Sequence, residues 1–112
     1  MLQYSDTVRN NKLDVVESTT GASAKLRIYT GAAPANCAAA ATGTLLCELA
    51  LPADYMAAAS GGSKAKLGTW TGTGAAAGTA GYHRIVDNAG TTTTVQGTAG
   101  QSVALTTNAL TA

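Results

Sequence analysis

A chain of 112 residues in which 24 are alanine, 18 threonine and 13 glycine has little large apolar volume to build with. Leucine, isoleucine and valine total 18 and phenylalanine is absent, so one domain is all that the length supports, and a large enzyme or a multidomain arrangement is excluded. Seven basic residues against six acidic ones leave a net charge of +1, too balanced to select nucleic acid or an anionic membrane, and too small for charge-driven disorder.

Residues 5–19 predict the one helix. At about 100° per residue, Val8, Leu13, Val15 and Val16 fall on one side and Asp6, Asn10, Asp14 and Glu17 on the other, so the valine side is expected to be buried. Ser5 or Asp6 can cap the first amides, and Gly21 stands where a left-handed stop is wanted.

From residue 24 to 112 the sequence reads as a β module. Lys25 to Thr30 alternates polar with aliphatic residues, turning Leu26 and Ile28 inward, and residues 44–51 place Leu45, Cys47, Leu49 and Leu51 on one face. Between them, residues 31–43 form a long small-residue loop of the kind that makes contacts, with Pro34 and Asn36 as candidate interface residues. Pro52 ends the second strand, residues 53–59 are expected to make one or two helical turns before Ser60-Gly61-Gly62, and residues 64–67 a short strand. Residues 69–78 are too poor in large side chains for a core and are expected to be exposed or docked on a partner. A hairpin follows, residues 82–86 and 91–95 about the turn Asp87-Asn88-Ala89-Gly90, and then a last strand from Ser102 to Leu105, extending towards Leu110. One helix ahead of five or six short strands predicts a mainly β fold, a small antiparallel β-sandwich or barrel in a single domain.

Chemistry is scarce. His83 lies mid-strand on the face of Ile85, with no carboxylate placed to serve it, and reads as structural. Cys37 and Cys47 have neither the spacing nor the histidines of a metal site and are expected to be free thiols, although a disulfide across the loop is sterically possible. The opening residues lack both the basic stretch and the apolar run of about 7–15 residues of a secretion signal, so export by that route is not expected. No segment reaches the ~18 apolar residues of a membrane span. Gly72-Thr73-Gly74 lacks the strand, helix and lysine of a phosphate loop. No catalytic, cofactor or metal site is therefore expected. Trp70 and Tyr55 are the large side chains least accounted for by the strands, and both are candidate interface anchors.

Leu26 to Cys37, with its Thr-Gly-Ala-Ala-Pro-Ala-Asn-Cys segment, resembles a family of small proteins encoded in the structural regions of tailed bacteriophages and prophages. The likeness continues through Gly43-Thr44-Leu45-Leu46, Leu51 to Met56, Lys64-Ala65-Lys66, Gly68-Thr69-Trp70, residues 78–87 and Val95-Gln96-Gly97. The resemblance implies a virion structural protein made in the host bacterial cytoplasm, and carries over no catalytic motif. The expected role is a capsid decoration (cement) protein on the outer surface of the major capsid protein, acting as a homo-oligomer, with a trimer as the expected state and neither nucleic acid nor membrane as partner. A tail or tail-tip component is the alternative within the particle. A glycan-binding adhesin module is the alternative of another class.

Overall fold

The computed structural model describes residues 1–99, 104–105 and 109–111. In chain order the elements are α1 (Asp6–Thr20), β1 (Lys25–Tyr29), β2 (Leu45–Ala50), β3 (Thr71–Gly74), β4 (Gly78–Thr79), β5 (Tyr82–Val86), β6 (Thr93–Thr98), β7 (Ala104–Leu105) and β8 (Ala109–Thr111). The chain is mainly β, with a single N-terminal helix. Six strands form one antiparallel sheet in the order β6-β5-β1-β2-β3-β8, and β4 pairs with β7 as a two-stranded ribbon. Among the described residues β6 and β8 each have a sheet neighbour on one side only. In place of one last strand there are two, β7 pairing with β4 and β8 with β3; residues 102–103 and 106–108 of the expected strand lie outside the described residues.

Local signals explain most of these boundaries. The Ser5 hydroxyl accepts from the Val8 amide at 3.3 Å, and Gly21, at φ +88°, closes α1 by donating to the Glu17 carbonyl at 2.9 Å. The β5–β6 turn is fixed by Asp87, whose carboxylate accepts from the amides of Thr91 at 2.7 Å and Thr92 at 3.1 Å.

Two stretches differ from expectation. Residues 71–74, expected to be exposed or docked on a partner and not read as a strand, form β3 between β2 and β8, with Thr71 and Thr73 exposed. Glycine makes this possible: a Cβ at Gly72 would sit 2.7 Å from the Glu48 carbonyl oxygen and 2.9 Å from Leu49 Cγ, so only a strand bare at this position can lie against β2. Residues 53–59 are not helical turns. They run extended as one limb of an arm whose other limb is residues 63–67, joined by Ala57 donating to Ala65 at 2.9 Å, Leu67 to Tyr55 at 2.9 Å, and reciprocal bonds between Ser60 and Ser63. Gly61 and Gly62 both have positive φ, +58° and +75°, which is the two-residue turn that suits the twist of a hairpin.

The sheet has two unlike faces. Leu26, Ile28, Cys47, Leu49 and Ile85 point to one, where the arm inserts Tyr55 and Met56 and, with Ala24, Leu51 and Trp70, completes the apolar core. The other face mixes the polar side chains of Arg27, Glu48 and Arg84 with buried Tyr29, Leu46, Tyr82 and Val86, and residues 31–43 are hydrogen-bonded to it.

Candidate interaction surfaces

The register of the central strands sets Gln96, Arg84, Arg27, Glu48 and Thr73 opposite one another from β6 to β3, a polar row across the sheet. Arg27 Nε donates to Glu48 at 2.6 Å, and Lys25 approaches the same carboxylate at 3.6 Å. Burial disfavours the charged form of Glu48, but the Arg27 hydrogen bond together with the Arg27 and Lys25 charges outweighs it and holds the carboxyl below its ordinary 4.5. Arg84 is 4 % exposed and has no carboxylate within ion-pair reach among the described residues. Its guanidinium donates to neutral oxygens: Gln96 Oε1 at 2.9 Å, the carbonyls of Ala39 at 2.8 Å and Asn36 at 3.3 Å, and Thr93 Oγ1 at 3.4 Å.

These bonds explain how a loop of alanines is held down without large side chains. Gln96 also donates to the Pro34 carbonyl at 2.7 Å, and the Tyr82 hydroxyl donates to the Thr42 carbonyl at 2.6 Å while accepting from the Thr42 amide at 3.0 Å. Tyr82 stacks on Tyr29 with ring centres 5.0 Å apart. Between the loop and the β5–β6 turn remains a cleft of about 490 Å³, floored by Arg27, Arg84, Tyr29 and Val86 and walled by residues 37–41 and 90–93.

The helix docks by the side expected to face water. Asn10 Oδ1 accepts from the Gly62 amide and Asp14 Oδ1 from the Ala59 amide, both at 2.9 Å, and Glu17 Oε1 accepts from the Met56 amide at 3.3 Å. Lys64, its side chain 5 % exposed, bridges Asp14 at 2.7 Å and Glu17 at 2.9 Å and donates to the Ala57 carbonyl at 2.9 Å. The Lys64 hydrogen bond, aided by the Ala59 amide, holds the Asp14 carboxyl below its ordinary 3.8, and the Asp14 bond in turn raises Lys64 above 10.5. The arm offers α1 unpaired amides and a buried ammonium, and only acidic and amide side chains can satisfy them. Val8, Val15 and Val16 are consequently turned outward at 40 %, 54 % and 39 % exposure, the reverse of the expected burial. Tyr4, Leu2 and Met1 are exposed just ahead of α1, with the Lys12 ammonium 3.5 Å from the Tyr4 ring centre.

The four candidate interface residues are dispersed among three roles. Tyr55 is 1 % exposed, with Tyr82 one of the two largest wholly buried side chains, so as a surface anchor it is corrected to core: the arm folds it under the sheet. Trp70 is partly buried against the same cluster, edge-on to Tyr55 at 6.1 Å, and its indole N–H donates to the carbonyls of Tyr55 and Leu67, both at 3.2 Å. Asn36 is exposed, and its side chain shapes its own loop by accepting from the Ala38 and Ala39 amides at 3.0 and 2.9 Å, while Pro34 contributes its carbonyl to Gln96. Sequence reading missed Arg27, Glu48, Arg84 and Lys64, all of them single charges in an otherwise small-residue chain.

Cys37 and Cys47 are both free; burial pushes the Cys47 thiol up. Among the described residues no three histidine, cysteine or acidic side chains gather as a metal site, and no helix is long and apolar enough to cross a membrane. No family model matches this chain, and neither a curated protein nor a solved structure matches it.

Proposed function

We propose that the chain is a structural protein of a bacteriophage virion, a capsid decoration protein that binds the outer surface of the major capsid protein as a symmetric homo-oligomer, with a trimer as the expected state. The observation that carries this reading is the outward side of α1. Three valines, with Tyr4 and Leu2 beside them, stay in water although the opposite side of the helix is pinned by five hydrogen bonds and ion pairs to the arm. An apolar stripe held rigidly outward is a ready contact surface, and burying it on a repeated neighbour adds the apolar contact that an alanine-rich chain lacks internally. The resemblance of residues 26–37 and the later segments to phage structural proteins names the kind of neighbour.

Cryo-electron microscopy of purified virions that carry this chain tests the reading. Density for the chain on the outer capsid lattice is the expected result. Its absence from the particle, or its confinement to the tail, overturns the decoration role.

A further inference from the structure

The cleft above the polar face of the sheet has a floor with more positive than negative charge. Arg27 and Arg84 stand directly opposite each other on neighbouring antiparallel strands, an arrangement that repels and destabilises unless something lies between or above the pair. Lys25 adds a third cation two residues along β1. Among the described residues the one carboxylate that reaches this group is Glu48, which Arg27 and Lys25 already share, at 2.6 and 3.6 Å. Asp87, in the adjoining turn, is occupied by the amides of Thr91 and Thr92. Arg84 thus has only neutral oxygens around a buried charge, and a charge so placed is costly until an anion approaches it.

The space for that anion exists. The cleft of about 490 Å³ is lined by both arginines, so two positive charges border it, and by Thr91, Thr92 and Thr93, of which Thr91 Oγ1 donates to Asp87 and Thr93 Oγ1 accepts from Arg84. The opposite wall, residues 37–41, is cysteine and alanine and contributes no acidic side chain. From this juxtaposition we infer that the cleft over Arg27 and Arg84 is a binding site for an oxyanion, a phosphate or a carboxylate, held by the two guanidinium groups. Either anion is recognised by the same planar donors, so a free ion and a carboxylate borne by another molecule would be read alike. The inference is independent of the virion reading and uses a different surface from the valine side of α1.

The test is titration of the full chain with inorganic phosphate and, separately, with acetate, at constant ionic strength against chloride. Heteronuclear NMR of the arginine Nε–H groups and thermal unfolding supply the readouts. A saturable shift of the Arg27 and Arg84 resonances with either anion, accompanied by a rise in Tm, is the expected result. Arg84→Lys keeps the charge but loses the planar fork, and is expected to weaken binding at least about tenfold. Arg84 also restrains residues 36–39, so a second variant guards against misfolding: Ala40→Asp places a carboxylate on the exposed rim of the cleft and is expected to abolish the response to both anions while leaving the far-ultraviolet circular dichroism unchanged. Absence of a saturable response to both anions overturns the inference. So does a response that survives unchanged in Ala40→Asp.

Discussion

One sheet, two faces and two ways of holding a cover in place: under the arm, Leu26, Ile28, Leu49 and Ile85 pack with Tyr55 by shape and exclusion of water, whereas residues 31–43 are held by Arg84, Gln96 and Tyr82 donating to their carbonyls. The contrast explains how a chain in which alanine, glycine and threonine make almost half of the residues folds at all. Alanine has no side chain long enough to reach a sheet, but its carbonyl is as good an acceptor as any, and arginine, glutamine and tyrosine on the sheet supply the reach. The apolar face is tolerant in direction and costly in volume. The face under residues 31–43 is the opposite, since its bonds to the loop depend on the register that sets Arg84 of β5 opposite Gln96 of β6.

The difference can be broken first on the apolar side. Leu49→Ala, at a wholly buried position, is expected to cost about 2–5 kcal/mol in urea-induced unfolding, with little dependence on salt. On the polar face Arg84→Met leaves the carbonyls of Asn36 and Ala39 short of a donor but also removes a buried charge. The two effects offset in part, and a smaller net loss of about 1–2 kcal/mol is expected by the same measurement. A loss larger than that of Leu49→Ala would reverse the ranking of the two faces.

The helix–arm contact is a third case, polar like the loop side but charged, and pH separates it from both. Asp14 lies below its ordinary value in the folded chain, so its contribution is present above about pH 4 and is lost as pH falls through the lowered value; Lys64 lies above its own, so its part persists until pH rises past 10.5. Lys64→Met is therefore expected to lower Tm near neutrality, by less than Leu49→Ala. The gap from wild type is expected to close as pH drops below 3.8, read by thermal scans at a series of pH values. A gap constant down to pH 2 would mean that packing of the lysine stem, rather than the ion pair, does the holding. Smallest of all is Val15→Asp on the outward side of α1, expected to change the stability of the isolated chain by no more than about 0.5 kcal/mol while abolishing attachment to particles in a co-sedimentation assay.

The helix ends, β1, β2 and the β5–β6 hairpin were legible because their signals are local: Ser5 and Gly21 at the caps, the alternation of residues 25–30, the turn at Asp87 to Gly90. The side of α1 that docks was not. A helical wheel ranks Val15 above Asp14 for burial, and only the arm, with the Ala59 amide and Lys64 already in place, reverses the order. β3 was hidden for the converse reason, since the glycine that weakens its strand signal is what lets it lie against Glu48 and Leu49. The floor of the arginine cleft is built from positions 27, 29, 84 and 86, whose adjacency exists only through the pairing of β1 with β5.

Amide hydrogen exchange in Arg84→Met tests most directly the claim that the sheet holds its alanine cover through backbone oxygens. The amides of Ala39 and Thr42, bonded to Asn36 and to the Tyr82 hydroxyl, are expected to exchange at least about tenfold faster than in the wild type, while those of Cys47 and Leu49 in β2 change only in step with global stability. Unchanged protection at Ala39 and Thr42, or an equal loss across β2, would contradict it.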